Sequence, residues 1–333
     1  MAKNLDQWRT YPLEGNHDFG TVINSQNFDE IDPILPYLAN YFQKYIDADA
    51  LAEFEKNGFY TTKFSTTDGT KYENVNIIAI NTEACYNANY YLISNREDPG
   101  DQLKWLEEKL TKMEANGEIA ILIGHHPPAS ESSLYQWATR FRILMDRFQH
   151  VVRVSFFGHV HTEEHNVIKS FVNNKSVGLN FWSGAMSTYT NTYPSFRRFI
   201  LDAQTMLPVE IETYRFDPNA ENPEFLLDHE LTSYYDMPDL SPASFDALNT
   251  RFLNDEALAL KYLRTKSQQG PKGYDNCDEK CRLMVYCDVT TSTYQDSRVC
   301  QGFESVDFRN DPMNAIFMTL EEPWYNYKRF PTQ

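Results

Sequence analysis

The sequence contains no long apolar run. Its longest apolar stretches, at 119–123 and 151–157, have the length of strands, whereas a membrane-spanning helix needs about 18 or more apolar residues. Residues 1–11 are polar and lack the apolar core of a secretory signal peptide. We therefore expect neither a transmembrane segment nor a signal peptide in this chain.

The sequence also has too few basic residues for a nucleic-acid-binding protein. It has 30 Lys and Arg against 47 Asp and Glu, a formal net charge of −17 and a pI near 4.9. A surface that binds a nucleic-acid polymer should be basic. A small anionic substrate remains compatible with this balance, because bound dications can dominate the local field.

Cysteine is scarce except near the C-terminal end, where four of the five form a C-x3-C-x5-C-x12-C cluster: Cys277, Cys281, Cys287 and Cys300. Such a cluster is a disulfide staple or a zinc site. Zinc sites usually have tighter C-x2-C pairs with histidine nearby, and no histidine follows His229. Disulfides are favoured, which indicates an oxidising compartment. The Asn174-Lys175-Ser176 glycosylation sequon points the same way.

The apolar pattern predicts alternating strands and helices up to about residue 216. Strands are expected at 76–81, 118–123, 151–157, 196–201 and 209–216, and amphipathic helices at 101–113 and 133–148. A polar connector at 217–223 precedes a helix-rich region, with helices that start at Ser241-Pro242 and at residue 254. This pattern predicts an α/β protein with domains at 1–218 and 219–333.

Metal-capable side chains follow glycines in three motifs. The motifs are Gly15-Asn16-His17-Asp18, Gly124-His125 and Gly158-His159-Val160-His161. Each motif alone would more often be structural, but the two later ones both follow a predicted strand, where open α/β folds place ligands. Their imidazoles suit zinc and iron, whereas their carboxylate and amide oxygens suit harder ions. Glycine is expected to let the backbone turn sharply before each ligand. Together the motifs predict a metal site.

In this order the motifs resemble the calcineurin-like metallophosphoesterase superfamily and, within it, the acid sphingomyelinase-like phosphodiesterases. Further matching segments are Tyr11-Pro12-Leu13-Glu14, Asn57-Gly58-Phe59-Tyr60, Asn81-Thr82-Glu83-Ala84-Cys85, Asp98–Leu106, Gly124-His125-His126-Pro127-Pro128, Phe156-Phe157 and Ser187-Thr188-Tyr189. The resemblance covers roughly residues 8–303. It implies a metallophosphoesterase β-sandwich flanked by helices, its first strands missing here, with a helical disulfide-stapled C-terminal subdomain.

The resemblance also implies a function. A member of this family would be a metal-dependent phosphodiester hydrolase. It would use two divalent metals, expected to be Zn²⁺, and a metal-bound hydroxide would attack phosphorus. The implied substrate is sphingomyelin, a nucleotide or a related phosphoester. The family resemblance further implies a glycosylated monomer that is secreted or lysosomal.

Residue roles follow from the same resemblance. Asn16, His125 and His159 would bind one metal and His161 the other. His17 would sit beside the phosphate and protonate the leaving group. The disulfides would pair Cys277 with Cys281 and Cys287 with Cys300, leaving Cys85 as a free thiol. The remaining histidines have no matching role and are expected to be structural or on the surface: His126, His150, His165 and His229.

The sequence departs from the family pattern before Gly15, where the Asp-x-His and Gly-Asp motifs are expected but absent. Gly100-Asp101 lies too far downstream to replace them. The absent residues would include a bridging carboxylate, so we expect the two-metal site to be incomplete in this chain. Two explanations stay open: the sequence is a truncated piece of an active enzyme, or the protein is a non-catalytic relative that binds a ligand or partner.

Overall fold

The structure is a computed structural model that describes residues 9–19, 26–30, 32–93, 95–270 and 274–303. The described chain forms two compact units, one ending at Ser155 and the other beginning at Phe156. Both contain helices and strands, so the expected α/β class is confirmed. Among the described residues, no helix has the length and apolar character needed to cross a membrane.

The first unit builds its sheet from strands that are close in sequence. Its elements are α1 (Ile34–Phe42), α2 (Ala48–Asn57), β1 (Tyr60–Ser65), β2 (Lys71–Ala79), α3 (Gln102–Asn116), β3 (Ile119–Ile123) and α4 (Tyr135–Arg147), followed by β4 (Val152–Phe157), which runs across the boundary. Strand β1 is antiparallel to β2, and β2 is parallel to β3. The parallel pair brings the C-terminal ends of β2 and β3 side by side.

Local sequence explains the helices that cover this sheet. Asp47 caps α2 by accepting a hydrogen bond from the Ala50 amide, and Gly58 ends α2 in the left-handed conformation at φ 80°. Phe54 of α2 is buried against Tyr60 of β1 in the same apolar cluster. In α3 the leucines at 103, 106 and 110 are buried, as their helical spacing predicts.

The second unit contains two sets of antiparallel strands and a helical C-terminal part. Its elements are β5 (Glu164–Lys169), β6 (Ser176–Trp182), β7 (Ser195–Leu201), β8 (Pro208–Phe216), β9 (Phe225–Glu230), α5 (Leu231–Tyr235), α6 (Pro242–Asn254), α7 (Glu256–Lys266), α8 (Glu279–Thr290) and α9 (Tyr294–Cys300). Strand β5 pairs with β6, while β8 pairs with both β7 and β9.

The cysteine cluster forms two disulfides, Cys277–Cys281 and Cys287–Cys300. The second joins α8 to α9, so the expected disulfide-stapled helical region is confirmed. Cys85 is a free, buried thiol, as expected. The domain boundary predicted at residues 218 and 219 falls between β8 and β9 and stays a prediction.

Candidate metal centre

The ends of β2 and β3 bring two sequence segments together in the first unit. The Ile80 amide donates to the Ile123 carbonyl at 2.9 Å, which keeps the segments in register just beyond the strands. The Thr82 hydroxyl oxygen accepts from the His125 amide at 3.1 Å and from the His126 amide at 2.7 Å. The loop after β2 therefore fixes the backbone that carries both histidines.

Asn16 and His125, two of the expected ligands, meet in this unit. Asn16 Oδ1 lies 2.9 Å from His125 Nε2. Two donor atoms about 2.1 Å from one zinc ion are about 3.0 Å apart at a right angle and about 3.4 Å apart at the tetrahedral angle. The two atoms would therefore have to move apart only slightly to bind one ion. Zinc sites in proteins contain ligand atoms of both types, nitrogen and oxygen. Asn16 is buried and also hydrogen-bonds to Tyr86.

Gly15 gives the His125 ring the space it needs. A Cβ atom at Gly15 would lie 2.9 to 3.0 Å from three atoms of the imidazole, well inside normal contact distance. Gly15 is not among the described glycines with positive φ, although a tight turn does begin at this residue. Its role is steric: the ring packs directly against the backbone.

Residues 15–18 form a tight turn with Asn16 and His17 at its two central positions. The Asp18 carboxylate accepts from the Gly15 amide at 2.8 Å, and the Asp18 amide donates to the Gly15 carbonyl at 3.0 Å. Within this turn Asn16 is buried whereas His17 and Asp18 are exposed. The turn thus places a buried ligand-type amide next to an imidazole that a solution-borne substrate can reach.

His126 and Glu83 form a buried pair behind His125. His126 Nε2 lies 3.2 Å from Glu83 Oε1, and both side chains are almost fully shielded from solvent. The His126 ring stacks on Tyr86 at 4.2 Å between centroids, and its Nδ1 lies 3.4 Å from the Ser132 hydroxyl. Since Tyr86 also contacts Asn16, this packing links the buried pair to the Asn16–His125 pair.

Glu14 adds a second buried carboxylate that the sequence did not mark as part of the site. The residue is 2% exposed, and neither carboxylate oxygen accepts a hydrogen bond from another described residue. Burial raises the pKa of Glu14 well above its ordinary value, with the nearby Asp18 charge adding to the effect. Burial, then the charge on Glu14, raises the pKa of Glu83 as well. A positive charge nearby would favour the ionised form of both carboxyl groups.

His159 and His161 belong to the second unit, directly after β4. Their backbones adopt the left-handed conformation at φ 63° and 59°, and the Val160 amide donates to the Gly158 carbonyl at 2.7 Å. Gly158 is not among the described positive-φ glycines, so the strain falls on the histidines and not on the glycine. The pair therefore follows the strand in a loop and does not alternate along it.

Buried polar groups hold this loop in place. Gln268 Nε2 donates to the His161 carbonyl at 3.0 Å. Glu163, two residues later, accepts from Arg197 at 3.0 Å and contacts His229 Nε2 at 3.1 Å. Burial alone would lower the pKa of His229, but hydrogen bonds to Asp228 and Glu163 outweigh it and raise that pKa to about 9. His229 is thus a cation that anchors the Glu163 carboxylate.

A comparison with protein families agrees with this arrangement. Residues 1–163 match the family model for calcineurin-like phosphoesterases. The first 163 of the chain's 333 residues are therefore similar to this family. The matched range contains every ligand expected in the sequence, from Asn16 to His161, and the catalytic candidate His17.

Relatives with assigned activities are phosphodiesterases. The chain is 28% identical over 301 residues to sphingomyelin phosphodiesterase B of Dictyostelium discoideum, covering 86% of this chain and 46% of that protein. It is 24% identical to human sphingomyelin phosphodiesterase, covering 90% and 48%. It is 26% identical to human cyclic GMP-AMP phosphodiesterase SMPDL3A, covering 84% and 64%. The chain spans about half the length of the first two relatives.

Proposed function

We propose that this protein is a calcineurin-like phosphoesterase that hydrolyses phosphodiester bonds with the help of divalent metals. The observation that carries the proposal is the contact between Asn16 Oδ1 and His125 Nε2 at 2.9 Å, at the ends of two parallel strands. Divalent metals bound at such a centre neutralise phosphate charge and lower the pKa of water. Zinc is the proposed ion, because three of the four proposed ligands are imidazoles.

The proposed ligands are Asn16, His125, His159 and His161. In the first unit, Thr82 fixes the backbone of His125 and the Asp18 turn orients Asn16. In the second unit, the left-handed backbone of His159 and His161 supports a functional role, because such strain in residues other than glycine concentrates at active sites.

His17 is the proposed general acid. It lies next to Asn16 and is exposed, so its imidazole can reach a substrate from solution and hold a proton for the leaving oxygen. The buried Glu83–His126 pair does not reach solvent, and its proposed role is to support the His125 backbone.

The proposed substrates are sphingomyelin or a nucleotide phosphodiester, since the relatives named above act on one or the other. The two disulfides support a secreted or lysosomal location. Asn174, in a turn with φ 58°, is the proposed glycosylation site. A monomer is the proposed oligomeric state.

Hydrolysis of sphingomyelin and of cyclic GMP-AMP by the purified protein tests the proposal, because their alkoxide leaving groups need a proton. His17→Ala should reduce the rate by about 100-fold or more, as expected for a lost general acid. His150→Ala is the matched control, because His150 is exposed and pairs with Glu114 on the surface. Equal rates in the wild type and His17→Ala would contradict the proposed role. Metal binding without any hydrolysis would favour the non-catalytic binding protein.

A further inference from the structure

Arg197 is a buried charged residue in the second unit. It lies on β7 with only 3% of its side chain exposed, and its Cζ atom is 5.9 Å from the Phe181 ring centroid and 5.8 Å from that of Phe199. Removing a guanidinium from water is unfavourable unless the charge is paired and the donors are used. The groups that Arg197 contacts therefore show what it contributes to the fold.

The guanidinium of Arg197 binds the start of β5, the strand that follows the His161 loop. Its Nη2 atom donates to Glu163 Oε1 at 3.0 Å. Its Nη1 atom donates to the Glu164 carbonyl at 3.3 Å and to the Trp182 carbonyl at 3.5 Å. Glu164 and Trp182 lie opposite each other at one end of the β5–β6 pair. One side chain thus holds both strands at the point where the loop joins them.

Glu163 connects this guanidinium to the proposed ligand His161. The Glu163 carboxylate also contacts His229 Nε2 at 3.1 Å, and the Glu163 amide donates to the Lys266 carbonyl at 3.2 Å. Two residues of chain span at most about 7 Å, so a displacement of Glu163 would move His161 as well. His161 has a left-handed backbone at φ 59°, a conformation that persists only where the surrounding structure stabilises it.

We propose that Arg197 is a positioning residue for His161. It holds Glu163 and the start of β5, and it thereby orients the His161 imidazole for metal binding. This inference rests on the proposed function, in which His161 is a metal ligand. Arginine is required because its planar guanidinium binds three acceptors in a fixed geometry, whereas the ammonium group of lysine is a single point of charge. Arg197 itself is shielded from solvent and acts only through its neighbours.

The zinc affinity of Arg197→Lys, measured by competition with a chromophoric chelator, tests the proposal. Lysine keeps the positive charge but loses the planar set of donors. We expect the zinc dissociation constant to rise about tenfold or more, as for other residues that orient metal ligands, while the protein still unfolds cooperatively. Arg198→Lys is the matched control, because Arg198 is the next residue on β7, has a side chain that is 59% exposed and pairs with Glu212. This control should bind zinc as the wild type does.

A background without the His161 imidazole distinguishes positioning from general stability. His161→Ala should weaken zinc binding by itself. Arg197→Lys should cause no further loss in that background, because its effect is transmitted through the missing imidazole. Glu163→Asp is a second variant that decides the matter if Arg197→Lys does not fold. It keeps the carboxylate charge but shortens the side chain by one methylene, so it should weaken zinc binding in the same way and only when His161 is present.

The positioning role is overturned if Arg197→Lys and Glu163→Asp both bind zinc as the wild type does. It is also overturned if either variant weakens zinc binding equally with and without His161, or if Arg198→Lys weakens binding as much as Arg197→Lys. The proposed function fails in a different way. In that case the wild type binds no zinc, or His161→Ala binds it as the wild type does, and the positioning role fails with it.

Discussion

Gly15 shows how a single hydrogen atom in place of a side chain can shape a metal centre. The His125 ring rests against the Gly15 backbone, and three of its atoms are within 3.0 Å of where a Cβ would be. The glycine could be recognised as part of a sequence motif, but the steric requirement for glycine at this position could not. Its partner lies about a hundred residues away, so no local pattern reveals the contact.

Gly15→Ala should therefore weaken metal binding while the protein stays folded. The added methyl group must push the imidazole away from Asn16, which separates two proposed ligand atoms. We expect a rise of about tenfold or more in the zinc dissociation constant, as for other changes that disturb ligand orientation. Competition with a chromophoric chelator measures it. Gly178→Ala is the control, because its methyl would contact only the Ile168 side chain, at 3.2 Å or more. Equal affinity in both variants would contradict this explanation.

The sequence did not identify Glu14 as part of the site, for a different reason. Nothing in the local pattern indicates that this glutamate is buried, because a carboxylate in an irregular loop is normally solvated. In the structure it is 2% exposed and close enough to Glu83 to raise the pKa of that carboxyl group.

Glu14→Gln should stabilise the metal-free protein at neutral pH. The raised pKa means that the folded state holds a proton more tightly than the unfolded state, whose pKa is near 4.5. Stability is thus lost as pH rises above about 4.5, and the substitution removes this loss. We expect a gain of about 1 kcal/mol or more at pH 7 that vanishes below pH 4.5, measured by urea unfolding.

Glu118→Gln is the matched control for Glu14→Gln. The Glu118 carboxylate is paired with Lys63. Burial alone would raise the pKa of Glu118, but hydrogen bonds from Lys63 and Asn76 outweigh burial and lower that pKa. This substitution should slightly destabilise the protein. A stabilising effect of equal size in both variants would mean that Glu14 carries no special burial cost.

At the scale of elements, strand ends were the most predictable feature. The apolar runs at 118–123 and 151–157 place His125 and His159 directly after β3 and β4, as the structure has them. Strand β1 gave no such signal, since its sequence Tyr-Thr-Thr-Lys-Phe-Ser has no apolar run. Strand β9 was missed as well, because Leu226 and Leu227 are both exposed and fit no alternating pattern.

The loop between β4 and β5 depends on a residue that is distant in sequence. Gln268 follows α7 and donates to the His161 carbonyl, and Gly184 leaves room for it, since a Cβ there would lie 1.5 Å from Gln268 Nε2. The contact supports a strained, left-handed His161. Neither Gln268 nor Gly184 belongs to a motif recognised in the sequence.

Gln268→Glu should loosen the His161 loop without unfolding the second unit. The carboxylate has the same shape but cannot donate to the carbonyl oxygen. We expect zinc affinity to fall by about 10- to 100-fold, the range for groups that orient metal ligands. Gln269→Glu, one residue along, is the control. A lower melting temperature with unchanged zinc affinity would show that Gln268 serves only stability.

The molecule as a whole combines an acidic surface with a disulfide-bonded C-terminal region. The acidic balance of the sequence argues against nucleic-acid polymers as partners and says nothing about the position of the metal centre. The disulfide pairs could be inferred because the terminal cysteines match a family spacing. The division into units at residues 155 and 156 could not be inferred from the sequence, because it reflects long-range contacts and not a change in composition.

The cysteine pattern makes a prediction for the intact chain. Cys85 is fully buried, and burial raises its pKa to about 12. Alkylation of the native, unreduced protein should therefore modify no cysteine, and alkylation after denaturation should modify one. Reduction should lower the melting temperature, because a closed loop of about 15 residues contributes about 3 kcal/mol. More than one modified cysteine in unreduced, denatured protein would contradict the two disulfides.

The central claim is that Asn16 and His125 hold a divalent metal, and metal content tests it most directly. Purified protein is loaded with zinc, dialysed and measured by plasma mass spectrometry, together with Asn16→Ala, His125→Ala and the surface variant His150→Ala. We predict that the wild type and His150→Ala retain zinc in at least equimolar amount, whereas the other two variants lose it. Zinc retained equally by all four proteins, or by none of them, would contradict the claim.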